Sequence, residues 1–151
     1  MSVLGMRCSN KDFTYAVMTG SRKKPCVQKI ASVTVPKNYS RPRALHWLVQ
    51  EIQDLIAKHT VDRIVMKAFE GRSRGKTYAD RVELEATVYV AGGMNGMNAI
   101  FKKVKSTIAK DFGLKGRAHY LQTGLDTTII PGFGEKSDKE KEAILAGWSE
   151  L

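Results

Sequence analysis

A strand, a helix and a second strand follow one another with no hairpin turn between them, and this run restricts the possible folds more than any other part of the chain. Over residues 42–59, Leu45, Leu48, Val49, Ile52, Leu55 and Ile56 recur at i, i+3, i+4, i+7, i+10 and i+11. That spacing gathers them into one apolar stripe on a helix. Ser40 fits the N-cap and Pro42 falls in the first turn, where its missing N–H costs nothing. Residues 27–35 before the helix are rich in β-branched residues, and residues 61–69 after it contain Ile64-Val65-Met66. Both read as strands, so the connection is a parallel crossover and the stripe must cover a sheet. Trp47 lies off the stripe, on the line of Glu51, Asp54 and Lys58. It either marks a contact with a second copy or lies flat on its own surface.

The flanking text completes the sheet. Residues 3–8, 13–19 and 27–35 are short strands joined by turn-rich stretches at 9–12 and 20–25, which predicts an antiparallel meander. After the fourth strand comes the basic loop 71–77, then a helix over 78–91 that dissolves at Gly92-Gly93 and Gly96. A fifth strand at 99–104 and a short helix at 107–112 follow, although periodicity separates the two types poorly here. Residues 121–135 read as irregular. Ser137 and Glu140 fit a capping box for the last helix, whose apolar edge is Ile144, Trp148 and Leu151. The expected architecture is α/β: one domain over 1–151 with a mixed five-stranded sheet, three antiparallel strands then two parallel ones, and helices on both faces.

Charge narrows the partner. The formal net charge is +10, and residues 1–76 hold 15 Lys and Arg against 5 Asp and Glu, while residues 77–151 hold 10 of each. Excess charge segregated in this way favours a polyanion, and a nucleic acid is the commonest one. Candidate phosphate contacts are Arg72, Arg74 and Lys76 in the basic loop, Lys102, Lys103 and Lys105 around the fifth strand, and Arg22, Lys23 and Lys24 at the second turn. The competing explanation is a solvated basic surface.

Several chemistries find no support. Gly71 and Gly75 are separated by three residues, one short of a P-loop. His46, His59 and His119 show no pairing, and there is no Gly-x-Ser-x-Gly elbow. Cys8 and Cys26 have no zinc or redox spacing and read as small core residues. No apolar run approaches the roughly 20 residues of a membrane span, and the first residues lack the order of a signal peptide, so a cytoplasmic location is expected.

Val3-Leu4-Gly5-Met6 in the first strand, Ile64-Val65-Met66 running to Glu70 in the fourth, and Arg74-Gly75-Lys76 before the next helix together resemble the ribonuclease H-like superfamily. Within it they resemble the RuvC-like Holliday junction resolvases and a small bacterial family of the same layout. The resemblance implies a two-metal phosphodiesterase using magnesium or manganese, held by carboxylates from the first strand, the end of the fourth strand and the last helix. Carried onto this chain, Glu70 takes the second position, and Asp138 and Glu142, four residues apart on one helix face, supply the last. Glu70, Asp138 and Glu142 are then the candidate metal ligands. In the first position this chain has Arg7 where the pattern requires an aspartate. A guanidinium stays charged and cannot ligate a metal, and beside Glu70 it would form an ion pair in the metal's place. Asp12 stands too far along the chain to substitute, roughly 17 Å at strand rise.

Glu85 shares a helical stripe with Tyr78, Val82 and Tyr89. It either reaches toward Glu70 as a replacement ligand or hydrogen-bonds a tyrosine or backbone group. Two functions from different classes follow. One is a nucleic-acid-binding protein, of DNA or RNA, with a degenerate metal site and a possible homodimeric state. The other is a metal-dependent nuclease whose altered catalytic set is Glu70, Glu85, Asp138 and Glu142. An interaction module for an acidic protein partner is a third.

Overall fold

The computed structural model describes residues 1–72, 75–114, 121 and 124–151. Strands β1 (Val3–Cys8), β2 (Asp12–Ser21) and β3 (Lys24–Thr34) form the expected meander, with β1–β2 and β2–β3 both antiparallel. Helix α1 (Arg41–His59) then carries the chain to β4 (Arg63–Lys67), which pairs parallel with β1. Helix α2 (Lys76–Met94) leads to β5 (Ile100–Lys103), parallel to β4, and helix α3 (Lys105–Asp111) follows. Two 3-10 turns, Thr127–Ile129 and Phe133–Glu135, precede helix α4 (Asp138–Trp148). The sheet order is β3-β2-β1-β4-β5, the mixed five-stranded arrangement that the sequence predicts. Among the described residues no helix is long and apolar enough to cross a membrane.

The sheet separates two apolar layers. On one face Ala44, Leu48, Ile52 and Ile56 are the buried line of α1, packed with Leu84 and Val88 of α2 against Leu4, Met6, Ile64 and Met66. Leu45, Val49 and Leu55 flank that line half-buried, so the stripe is real and its centre lies on the four-residue repeat. Each such side chain contributes roughly 1.5–3 kcal/mol on full burial. On the other face Val3, Ala16, Met18 and Val65 meet Ile108 of α3 and Ala143, Ile144 and Trp148 of α4.

Helix α4 reaches the sheet through two glycines. A Cβ on Gly5 would stand 2.0 Å from the Ala143 carbonyl oxygen and 2.6 Å from the Gly147 nitrogen, and one on Gly147 would meet Met18 Cγ at 2.8 Å. Neither obstacle on the Gly5 side is a flexible side chain, so the helix can lie this low only because strand and helix both lack a side chain there.

Local expectations fail where tertiary contact overrides them. Helix α2 does not dissolve at Gly92-Gly93 but continues through them to Met94, because Gly92 lets the helix close on Ile100, whose Cδ1 lies 2.3 Å from a would-be Cβ. Ser40 occupies the N-cap of α1 but its side chain makes no cap bond; only its carbonyl accepts, from the Ala44 N–H at 2.9 Å. The capping box of Ser137 and Glu140 is complete. Trp47 is half-buried, with the Tyr39 ring edge-on at 6.3 Å. Cys8 is buried as expected, but Cys26 is exposed, since it sits on the edge strand β3.

Two outcomes follow. Gly5→Ala should destabilise the fold by about 3 kcal/mol, the upper end for overpacking, read as a lowered urea midpoint. Burial, reinforced by the charge of Glu85, pushes the Cys8 thiol up to about 12, so at pH 8 a thiol reagent should modify Cys26 alone in the native protein and both cysteines in denaturant.

Candidate functional site

Sites in α/β sheets gather at the carboxyl ends of parallel strands, here the ends of β1 and β4. Gly5 pairs with Val65 and Met6 with Met66, so Arg7 and Lys67 stand next to each other on the adjacent strands, directed to the same face. β4 ends at Lys67. Glu70 lies three residues beyond, outside the strand. The last residue of the fourth strand is therefore a lysine, and two cations lie side by side close to Glu70.

Each cation is held by its surroundings. Arg7 Nε donates to Glu142 Oε2 on α4 at 3.0 Å and its Nη1 donates to the Cys8 carbonyl at 3.0 Å. This corrects the expectation that Arg7 pairs with Glu70. Glu70 pairs instead with the ammonium of Lys67, which also donates to the Ala68 carbonyl at 2.6 Å, and it accepts from the Lys105 backbone N–H at 3.1 Å. Lys67 is 4% exposed. Arg81 on α2 donates from Nη2 to the Lys67 carbonyl at 3.0 Å and from Nε to Glu85 at 3.2 Å, with its guanidinium 5.1 Å from the centre of the Phe69 ring.

A cavity of about 290 Å³ opens between these groups, lined by Arg7, Lys67, Glu70, Arg81, Lys105 and Glu142 among others. It adjoins a larger cleft of about 630 Å³ that shares Lys67, Lys105 and Glu142 and adds Asp138, Lys141 and the apolar Ile108 and Phe133. The structure thus brings Glu70 and Glu142 to one cavity and places Asp138 along the neighbouring wall. Glu85 is elsewhere. It is 3% exposed and bonded by Arg81 and Lys102, not by a tyrosine or the backbone, and it lines neither cavity.

The basic residues divide the same way. Lys102 is committed to Glu85 and lies over the Tyr89 ring. Lys103 is buried and bonds Asp111 at 2.7 Å and Glu150, which removes it from any phosphate surface. Arg22 is a structural clasp that donates to the carbonyls of Asp111 and Ser149. Arg72, Lys76 and Lys105 are exposed, while Arg74 and His119 lie outside the described residues. Asp12 cannot act as a ligand, since Ser9 and the ammonium of Lys139, 2.9 Å from both its oxygens, already occupy it. Lys67 and Arg81 escaped the sequence reading. The available signal was the lysine that ends Ile64-Val65-Met66, in step with Arg7 one strand away.

Among the described residues no three of His, Cys, Asp and Glu come together as a metal would require, and both carboxylates at the cavity already hold a side-chain cation.

The sequence matches no protein-family model and no curated protein, yet the fold has close counterparts. Thermus thermophilus RuvC superposes with a TM-score of 0.75 at 8% identity, covering 99% of this chain and 92% of that one. The same enzyme in complex with a Holliday junction substrate gives 0.73 at 10% identity over 99% and 91%. The yeast mitochondrial Holliday junction resolvase gives 0.62 at 14% identity over 97% and 77%. The chain has a ribonuclease H-like fold. More narrowly, it has the RuvC-like form of that fold, as its motifs implied.

Two carboxylates make the fold acid-sensitive. Burial opposes ionisation of Asp12, but Lys139 and Ser9 outweigh it and hold the carboxyl below its ordinary value; burial opposes Glu150 likewise, and Lys103 and Arg63 outweigh it. A carboxylate depressed in the folded state adds stability that is present above its unfolded value near about 4 and lost as pH falls through the folded one. The urea midpoint should hold steady from pH 7 to 5 and drop below about pH 4.5, and Glu150→Gln should flatten part of that drop.

Proposed function

We propose that this protein binds nucleic acid, DNA or RNA, along the cleft at the carboxyl ends of β1 and β4, and that it is weak or inactive as a two-metal phosphodiesterase. The observation that carries this is the pair Arg7 and Lys67, each one residue past the paired Met6 and Met66 and both lining one cavity, with Arg7 where the resemblance asks for an aspartate. A divalent ion about 5 Å from either one would be repelled by about 7 kcal/mol at an effective dielectric of about 20. With Glu142 and Glu70 already paired to those same cations, little remains to offset that repulsion. Binding draws support from the fold shared with a RuvC seen on a Holliday junction substrate, from Lys105 in the cavity lining, and from the exposed basic residues Arg72 and Lys76. A homodimer belongs to the same proposal. Tyr78, Val82, Tyr89, Val90 and Met94 leave an exposed apolar band on α2, a better seat for a second copy than Trp47.

Affinity for duplex, branched or single-stranded oligonucleotides should fall steeply with salt, by about 100-fold between 50 and 200 mM if four duplex phosphates are contacted. No cutting of any of these should appear with Mg²⁺ or Mn²⁺. Metal-dependent cutting that Glu70→Gln abolishes would favour the nuclease with a rearranged carboxylate set, and failure to retain any oligonucleotide at low salt would favour an acidic protein partner.

A further inference from the structure

We propose that Arg7 and Lys67, with Arg81 and Lys105 beside them, form a phosphate-binding site in which the protein's own cations supply the positive charge that metal ions supply in two-metal phosphodiesterases. The identity of the polymer bearing the phosphate rests on the nucleic-acid proposal above; the site itself rests on a count of donors.

A lysine ammonium has three protons to donate and an arginine guanidinium five. Lys67 uses two, on the Ala68 carbonyl and Glu70. Arg7 uses Nε on Glu142 and one Nη1 proton on the Cys8 carbonyl. Arg81 uses Nε on Glu85 and one Nη2 proton on the Lys67 carbonyl. One proton of Lys67 and three on each arginine have no bond partner among the described residues, and the Lys105 ammonium makes none there either. All four residues line the cavity of about 290 Å³.

Charge points the same way. Four cations face this cavity against two carboxylates, Glu70 and Glu142. Burying an ammonium as deeply as Lys67, 4% exposed, is costly unless its charge and donors are satisfied, and one carboxylate shared with solvent does this incompletely. A phosphodiester brings one negative charge and two unesterified oxygens that accept from just such donors, and guanidinium groups match it with paired N–H bonds. The two arginines approach from different elements, Arg7 from β1 and Arg81 from α2, so a phosphate between them would be gripped from both layers of the fold.

The test uses the full chain and two probes, a 20-nucleotide oligonucleotide without terminal phosphates and inorganic phosphate. Lys67→Met, and the charge-balanced pair Arg7→Gln with Glu142→Gln, should each lower oligonucleotide affinity about 10- to 100-fold, the range for a lost charged hydrogen bond, and reduce the salt slope by about one. Lys110→Ala, on the exposed side of α3, serves as the control and should leave affinity within about twofold of wild type. Wild-type affinity should survive EDTA; a requirement for Mg²⁺ would overturn the proposal. Because a variant could unfold, the wild type is also titrated with inorganic phosphate while the Arg7 and Arg81 Nε–H resonances are followed by NMR. Saturable shifts of these signals support the site even if the oligonucleotide does not bind, in which case the source is free phosphate and the nucleic-acid proposal falls. If the oligonucleotide binds while both variants match wild type and these signals stay still, the polymer reading stands and the phosphate site is refuted.

Discussion

The contact between Gly5 and Gly147 sets the geometry of everything at the candidate site. Helix α4 rests on β1 with the Ala143 carbonyl 2.0 Å from where a Gly5 Cβ would be, so the helix axis is about as low as backbone permits. Arg7 lies two residues beyond Gly5 and so on the same face of the strand. Glu142 lies just before Ala143 on the helix. The low seat of α4 is what lets a short carboxylate reach the Arg7 guanidinium at 3.0 Å. Polar clasps then fix the helix along its length: Lys139 to Asp12 near its start, and the Trp148 indole N–H to the Arg22 carbonyl at its end, while Arg22 itself holds the carbonyls of Asp111 and Ser149. Apolar burial gives the helix its adhesion, and the glycines and clasps give it its register.

The segregation of charge along the chain is partly undone in space. Cations from the basic half find carboxylates from the balanced half: Arg7 with Glu142, Arg41 with Glu83, and Arg63 with Glu150. Most of these pairs are partly exposed and contribute little stability each, but they remove cations from any phosphate-facing surface. Pairing leaves the net charge of +10 unchanged but decides which cations are free to meet a phosphate. A basic composition alone would have spread the candidate interface over residues that the fold has already committed.

What could be read from the sequence was whatever a period or a single departure makes visible. The stripe of α1 and the apolar run Ile64-Val65-Met66 predicted the crossover because burial leaves a pattern in the text, a fixed spacing on a helix and a continuous run in a buried strand. Arg7 was visible because one residue stood where a carboxylate was required. Lys67 was not, since Met66-Lys67-Ala68-Phe69-Glu70 offers several ends for the strand, and it is pairing with β5, where Lys67 meets Lys103, that carries the strand to the lysine. Lys102 and Lys103 looked alike as text, yet consecutive strand residues point to opposite faces, which sends one to Glu85 and buries the other against Asp111 and Glu150. Helix α2 ran past Gly92 for a reason equally absent from local propensity, the approach of Ile100.

On the proposed reading, a guanidinium and an ammonium change what the cleft can do, not merely how well it does it. Two metal ions hold a phosphate and also activate a water and stabilise the departing oxygen. Arginine and lysine supply fixed charge and directed donors, so they can do the first of these. They cannot do the second as a Lewis acid does. An arginine remains protonated at every physiological pH, and Arg7 therefore offers no base toward a water molecule. Glu70 and Glu142 are each bonded to one of these cations. On the proposed reading, a cleft whose carboxylates are paired with its own cations is suited to retain a polyanion without cleaving it, because fixed charge holds a phosphate but activates no water.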